Sequence, residues 1–203
     1  MSAEQLTSEQ KILDAAKRVF ETKGYTGARM QEIADEAGIS KAALHYYFRS
    51  KEKLFDRIFE DTISAFLPIT MTWEDDSTDW EQKMRSFIVQ FFAFLKTNSM
   101  LFILGEINRN PDLLSKRKKD GKPKVNKFIA YFTRLQEKGL VRDVDPKLVY
   151  IFLHSLCSYP LINREIFKMI TRTSDKEYEL FLHTYPDQVA DFLILLYKKQ
   201  KTR

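Results

Sequence analysis

The sequence predicts an all-α fold, and three observations support that prediction. Apolar residues recur at intervals of three and four along most of the chain, without the strict alternation of a half-buried strand. Gly and Pro number only 6 each in 203 residues, so turn signals are few. Hydrophobic residues make up 44% of the chain, including 16 Phe and 9 Tyr, which is enough for a sizeable core. Composition therefore excludes a disordered chain and disfavours a strand-rich one.

The N-terminal segment predicts a long first helix and a short second one. Thr7 and Gln10 have the spacing of a capping box, and an apolar stripe at helical intervals follows until Gly24 closes the segment. A second helix fits residues 29–37, and Gly38 behind it is the residue that can adopt a positive φ.

Two serines mark the starts of the next two helices. Ser40 is the expected N-cap of a short third helix, and Ser50 is the expected N-cap of a fourth. The fourth helix carries an apolar stripe as far as Leu67, and Pro68 marks its predicted end.

Further helices are predicted beyond an acidic loop at residues 73–79. Proline at a first-turn position, where its missing N–H costs nothing, places several of the starts. The predicted ranges are 80–96, 100–108, a short turn at 111–118, 123–138, 146–170 and 186–199. The prediction is thus nine or ten helices and no sheet.

The clearest functional signal lies at residues 29–51. Two short helices joined by a Gly-containing turn have the spacing of a helix-turn-helix motif, whose second helix enters the major groove of DNA. Small residues at the start of that helix allow close approach to base edges, and a serine and a lysine there suit phosphate. Tyr47 also has the phase of a core residue, and the sequence leaves both interpretations open. The candidate DNA contacts are Ser40, Lys41, Ala42, Ala43, His45, Tyr46, Tyr47 and Lys51.

Residues 12–59 resemble the N-terminal domain of the tetracycline-repressor (TetR) family of bacterial transcriptional regulators. The resemblance is carried by ILDAAKRVFETKGY in the first helix, EIADEAGIS through the turn, and LHYYFRSKEKLF into the fourth helix. Just before the second helix, where the family usually has Thr or Ser, this chain has Ala28. Directly after the Leu of the recognition helix, where the family usually has Tyr, it has His45. The resemblance therefore implies that one phosphate contact shifts to Arg29 or Gln31.

The resemblance also implies a division of labour along the chain. Residues 1–50 would form the helix-turn-helix DNA-binding domain, and residues 51–203 a helical ligand-binding and dimerisation domain. A cavity lined by helices five to eight would hold a small hydrophobic or aromatic ligand, although aromatic stripes also suit a plain core. The candidate ligand-binding residues are Phe87, Phe91, Phe94, Phe128, Tyr131, Phe132, Phe152 and Cys157.

A homodimer formed by the last two helices is implied as well. The helix predicted at 186–199 is apolar on more than one side, so one side would be left for a partner. The candidate interface residues are Leu153, Leu156, Val189, Phe192, Leu193 and Leu196.

The expected function is therefore a ligand-responsive transcriptional regulator. It would be a repressor that binds palindromic operator DNA as a homodimer and is released by a small hydrophobic ligand. A DNA-binding regulator without a small ligand, controlled by a protein partner, is the alternative.

An enzyme is not expected, because the sequence contains no phosphate loop, dinucleotide fingerprint or paired-carboxylate spacing. His154 and Cys157 lie three residues apart but are too few for a metal site, so neither a metal nor another cofactor is expected. A single cysteine and the lack of a charged-then-apolar leader indicate a cytoplasmic protein, and no apolar stretch is long enough to span a membrane.

Overall fold

A computed structural model describes residues 3–74, 79–97, 99–115 and 126–199. Within these ranges the chain forms eleven helices, and its one β-type feature is an isolated antiparallel bridge between Val141 and Lys198. The all-α prediction is confirmed. The helices are α1 (Ala3–Gly27), α2 (Met30–Ala37), α3 (Lys41–Tyr47), α4 (Lys51–Met71), α5 (Trp80–Thr97), α6 (Met100–Arg109), α7 (Asp112–Ser115), α8 (Asn126–Glu137), α9 (Pro146–Ile162), α10 (Arg164–Thr171) and α11 (Asp175–Tyr197).

The chain divides into two compact units. The first consists of Met1–Ala65 and Ser99–Lys119, and the second of Phe66–Asn98 and Asp120–Arg203. The division therefore falls inside α4. The boundary predicted between residues 50 and 51 separates a DNA-binding domain from a ligand-binding and dimerisation domain, not two compact units, and it stays a prediction.

One apolar core holds the first unit together. Phe20 of α1, Leu44 of α3 and Phe55 of α4 are each fully buried in it. Phe102 of α6 stacks on Phe20 with ring centroids 6.0 Å apart. Because α2 and α3 contribute buried residues to the same cluster, their mutual arrangement is fixed by the core.

A glycine interrupts α1 where the sequence predicts its end. Gly24 has φ 70° and ψ 167°, which only glycine adopts readily, and the chain regains helical geometry after it. The oxygen Oε1 of Glu106 lies 3.4 Å from the position that a Cβ atom would occupy there. The start of α1 was predicted less well: the helix begins at Ala3, ahead of the capping box predicted at Thr7.

The second unit is built around α5. Its buried side includes Met84, Phe87, Ile88 and Phe91, and it packs against α9 and α11. At the surface, Arg85 forms ion pairs with Asp187 and Asp191 of α11. Such exposed pairs add little stability, so burial of the apolar side holds the helices together.

Two predicted helix boundaries at proline are wrong. The fourth helix was predicted to stop before Pro68, but α4 continues to Met71. The last helix was predicted to start at Pro186, but α11 begins at Asp175 and Pro186 lies inside it. A proline inside a helix loses one hydrogen bond and crowds the carbonyl of residue i−4, but packing against neighbouring helices can offset this cost, and the helix then continues.

The true start of α11 has a capping box. The hydroxyl of Ser174 accepts a hydrogen bond from the Glu177 N–H, and the Ser174 N–H donates to the Glu177 carboxylate at 2.8 Å. The single helix predicted at 146–170 is likewise two, because Asn163 leaves helical geometry and separates α9 from α10.

Among the described residues no single helix is long and apolar enough to cross a membrane. By length and composition alone α5 and α6 would suffice as a pair.

The backbone at Gly24 gives a stability prediction. Gly24→Ala should lower the stability of the protein by about 1–3 kcal/mol, because alanine resists this φ/ψ combination. Thermal unfolding followed by circular dichroism measures the change. Gly27→Ala is the matched control, since it adds the same methyl group at a position where ordinary van der Waals contact is expected. Equal stability for the two variants would contradict the strain at Gly24.

Candidate functional site

The turn between α2 and α3 is built by one glycine and one serine. Gly38 adopts a left-handed conformation (φ 69°, ψ 32°) and its N–H donates to the carbonyl of Asp35 at 3.1 Å. The Ser40 hydroxyl then accepts a hydrogen bond from the Ala43 N–H at 3.1 Å. Both features were predicted from the sequence, and together they set the direction in which α3 leaves the turn.

Helix α3 has one buried side and one exposed side. Leu44 is fully buried, whereas 76% of Tyr46 is exposed to solvent. Lys41, Ala42 and His45 are also exposed. The buried Leu44 thus anchors α3, while Lys41, Ala42, His45 and Tyr46 stay accessible to another molecule.

Two other candidates on α3 lie closer to the core. Ala43 is half-buried, and Tyr47 is half-buried against the core cluster of the first unit. The Tyr47 ring also packs edge-on against Tyr46, with ring centroids 5.4 Å apart. Tyr47 thus has the packing role that the sequence left open, and its contact with DNA stays a prediction.

Lys51 is already engaged inside the protein. Its ammonium donates hydrogen bonds to the carbonyls of Thr26 (3.2 Å) and Ala28 (3.0 Å) and lies 4.7 Å from the ring centroid of Tyr25. Two of its three N–H donors are therefore used to hold the segment between α1 and α2 against the start of α4. The sequence predicted only a phosphate contact here, and this structural role escaped it.

The other candidate DNA contacts differ in whether their side chains are bound within the protein. Gln31 donates to the Asp35 carboxylate at 2.8 Å, whereas the Arg29 side chain is exposed. Arg49, which was not among the predicted contacts, is exposed and makes no ion pair within the described part of the chain. Its position in an acid-free basic stretch was the signal that could have identified it.

An aromatic circuit lies in the second unit. Six rings from four segments contact one another in a closed sequence, with neighbouring centroids between 4.0 and 5.8 Å apart. We call these residues the ring circuit; in order they are Trp73, Phe87, Phe91, His154, Tyr150 and Phe128.

Most predicted ligand-binding residues belong to the ring circuit or adjoin it. Phe87, Phe91 and Phe128 are members, and Tyr131 and Phe132 each contact a member ring. Phe94 is buried beside Phe66. The structure thus brings these predicted residues together, while their contact with a ligand stays a prediction.

Phe152 does not fit the predicted wall. Its side chain is 40% exposed and it belongs to a solvent-facing stripe on α9, so its assignment to an interior pocket is corrected. The sequence does not show which side of α9 is buried, because that helix is apolar on nearly every side. The sequence does not identify Trp73 and Tyr150 as members of the ring circuit. Trp73 follows α4 in a segment that predicts a loop, and Tyr150 is one of several aromatic residues on α9.

Burial keeps the polar members of this region neutral. Desolvation lowers the pKa of His154 to about 4 and raises the pKa of the Cys157 thiol to about 12. Within the described residues no group of three or more His, Cys, Asp or Glu side chains could hold a metal ion. At neutral pH the His154 imidazole and the Cys157 thiol are therefore both uncharged.

An open cleft of about 360 Å³ lies beside Trp73. It is lined by Trp73, Glu74, Lys127, Ala130 and Arg134. Glu74 and Lys127 form an ion pair across it. The cleft has the volume of a small-molecule site, and its walls combine an aromatic ring with charged groups.

The predicted dimer residues fall into two groups. Leu153, Val189 and Leu193 are buried within the chain, so their assignment to an interface between subunits is corrected. Leu156 and Leu196 are half-buried, and Phe192 is 55% exposed. Because α11 starts eleven residues earlier than predicted, its phase against α5 and α9 could not be read from the sequence.

Other apolar side chains on α9 and α11 are exposed instead. On α9 they recur at a spacing that places them on one side of the helix. We call this set the α9–α11 stripe; it consists of Leu148, Ile151, Phe152, Tyr159, Ile162, Phe192 and Leu195. Hydrogen bonds from the Tyr185 hydroxyl to the Leu156 carbonyl (2.9 Å) and from Tyr178 to Pro160 hold the two helices together.

Comparison with known proteins gives three kinds of similarity. A family model described as "Bacterial regulatory proteins, tetR family" matches residues 12–58, the α1–α4 region that contains the motif. The HTH-type transcriptional repressor NicS of Pseudomonas putida is 28% identical over 159 residues, which are 75% of each chain. The HTH-type transcriptional activator FasR of Mycolicibacterium smegmatis is 34% identical over 88 residues, which are 43% of this chain and 40% of FasR.

A solved structure shows the same fold over nearly the whole chain. The SmeT–triclosan complex superposes with a TM-score of 0.64 at 18% identity, covering 96% of this chain and 93% of SmeT. The similarity to SmeT extends over both compact units, whereas the family model covers the motif region alone.

The half-buried His154 predicts how stability depends on pH. His154 has a folded pKa below its unfolded value, so between pH 6.5 and about 4 the unfolded chain binds the extra proton. Stability is therefore fully present above pH 6.5 and is lost as the pH falls, by up to about 2 kcal/mol at pH 5.

Urea unfolding at pH 7 and pH 5 measures this loss. His154→Phe, which keeps a ring in the cluster, should lose less stability over that interval than the native chain. His183→Gln changes an exposed histidine and should behave as the native chain does. An unchanged loss in His154→Phe would show that another group titrates.

Proposed function

Since this chain belongs to the tetR family of bacterial regulatory proteins and is a transcriptional regulator rather than an enzyme, we propose that it is a repressor acting on palindromic operator DNA. It binds that DNA as a homodimer and leaves it when a small hydrophobic ligand is bound. The observation that carries the proposal is α3 itself, a helix anchored by a buried Leu44 that holds Tyr46 in solvent. Because its target is bacterial DNA, it works in the cytoplasm.

DNA recognition uses the N-terminal part of α3. Lys41 and the first N–H groups of the helix suit a phosphate, and Ala42 is small enough for the backbone to approach the base edges. His45 and Tyr46 follow on the exposed side, within reach of bases or backbone. Exposed Arg29 and Arg49 add charge for the phosphates on either side of the motif.

Dimerisation uses the α9–α11 stripe. A two-fold pair of these helices makes a four-helix interface that covers the exposed apolar side chains of both copies. The symmetric dimer then carries two copies of α3, and this is why its operator is palindromic.

The small ligand binds at the ring circuit and the adjoining cleft. Buried aromatic rings with a neutral histidine and thiol suit an apolar molecule, and the complex of SmeT with triclosan supports this over control by a protein partner alone. Helix α4 is continuous from Lys51, beside the motif, to Phe66, whose ring lies 5.6 Å from Phe91 of the circuit. A shift of the ring circuit on ligand binding is thus transmitted to the motif along the backbone of α4. To release DNA, the ligand must bind the non-binding conformer more tightly.

Tyr46 gives the test of DNA recognition. Tyr46→Ala should weaken binding to a site selected from random duplex DNA by about tenfold or more, while the unfolding temperature stays unchanged because the side chain is exposed. Fluorescence anisotropy at several salt concentrations measures the affinity. Leu104→Ala, at another exposed apolar position of the first unit, is the control and should bind as the native chain does. Full affinity in Tyr46→Ala would remove this residue from the interface.

Leu195 gives the test of dimerisation. Leu195→Glu places a carboxylate in the α9–α11 stripe and should yield monomers that no longer bind the full palindrome, because burying that charge is costly. Sedimentation velocity measures the mass. Val89→Glu is the control, since Val89 is an exposed apolar residue of α5 outside the stripe. A native chain that sediments as a monomer at micromolar concentration would overturn the interface.

A further inference from the structure

A lysine is buried in the second unit without a hydrogen-bond acceptor. Lys83 of α5 is only 4% exposed, and among the described residues its ammonium nitrogen finds no hydrogen-bond partner. Buried charges in folded proteins are normally paired, because the interior solvates an unpaired ion poorly. Its position is unfavourable in a second way, since Lys83 lies in the first turn of α5, where the helix dipole is positive.

The surroundings of Lys83 connect it with the cleft. Its ammonium lies 5.0 Å from the ring centroid of Tyr131, and the guanidinium of Arg134 lies 5.7 Å from the same centroid. Tyr131 packs against Trp73 at 5.5 Å. Because Trp73 and Arg134 both line the cleft, Tyr131 is a shared neighbour of the cleft and of Lys83.

Two cationic side chains and one carboxylate are among the described residues that line the cleft. Lys127 and Arg134 line it with one carboxylate, Glu74, which is paired with Lys127. Lys83 is a further positive charge beside Tyr131, whose ring it shares with Arg134. A neutral apolar ligand would leave this ammonium buried and unsatisfied, whereas an anionic group would supply the acceptor that it lacks.

We propose that the ligand of this regulator is an organic anion, a carboxylate or sulfonate carried on an apolar body, and that the Lys83 ammonium binds its anionic group. The apolar body packs on Trp73 and Tyr131. This inference rests on the proposed function, because it names the chemical class of the ligand that the regulator would bind. It also gives a reason for a buried lysine on a helix whose other buried residues are apolar.

Two fluorescent probes of nearly the same shape test the proposal. 8-Anilinonaphthalene-1-sulfonate carries a sulfonate, and N-phenyl-1-naphthylamine is the same ring system without it. The native protein should bind the sulfonate at least tenfold more tightly than the amine. Lys83→Met, which keeps the length and apolar stem of the side chain, should remove this preference, and Lys83→Arg should retain most of it.

Lys96→Met is the matched control. It removes the same charge from the same helix, but Lys96 is exposed and paired with Glu179 at 2.8 Å, so the preference for the sulfonate should remain. Loss of the preference in both variants would show a general effect of net charge and would overturn the assignment to Lys83.

The unliganded protein provides a second, independent measurement. If the ammonium is unpaired, Lys83→Met should unfold at a higher temperature than the native chain, because a buried charge is replaced by an apolar group of similar volume. A lower unfolding temperature would show that the charge is stabilised within the protein, and this would overturn the proposal.

The outcomes separate this inference from the function on which it rests. If the native protein binds both probes equally, the small-ligand site stands and the anionic class is wrong. If it binds neither probe, the ligand-binding part of the proposed function fails, and the inference fails with it.

Discussion

The arrangement of the recognition motif depends on burial of a few side chains that α2 and α3 contribute to the first core. Helices of 8 and 7 residues are too short to be stable alone in water, so tertiary contacts must hold them. Ile33 and Leu44 are fully buried among residues of α1 and α4, and this fixes the orientation of both helices. The polar features of the turn, Gly38 and Ser40, then set the direction of a helix that the core already holds. The exposure of Tyr46 is a consequence of that anchoring, since its neighbour Leu44 must point inward.

Lys51 shows how a charge serves the same arrangement. Its ammonium sits where the carbonyls of Thr26 and Ala28 are exposed at the end of α1, and it contacts the Tyr25 ring. Carbonyls near a helix C-terminus carry partial negative charge, so the interaction is favourable. It links three segments of the first unit through one side chain.

In the second unit, unlike at Lys51, polar side chains are withdrawn from solvent in uncharged form. Desolvation keeps the half-buried His154 and the buried Cys157 neutral at neutral pH, so neither adds a charge to the second unit. Lys83 is the contrast, because a lysine near the same aromatic residues is buried without an acceptor among the described residues. Among the described buried residues Lys83 is thus the one cation, and an anionic partner is the simplest chemical complement to it.

The sequence by itself determined the helical class, the motif at residues 29–51 and the aromatic content of the second unit's helices, because these follow from local periodicity, capping chemistry and composition. Ser40 and Gly38 were predicted correctly because a cap and a left-handed turn are local properties. Only the tertiary structure decided which rings meet in the second unit, which side of α9 and α11 is buried, that Phe152 faces solvent, that Lys83 is buried, and that Lys51 binds backbone carbonyls. In a helix that is apolar on every side, the periodicity of the sequence does not show which side is buried. The sequence also does not show whether a lysine lies at the surface or in the core. Packing against the neighbouring helices decides which of these side chains are buried, because burial of apolar area is the main driving force of folding. The apolar surface that stays exposed is left for partners.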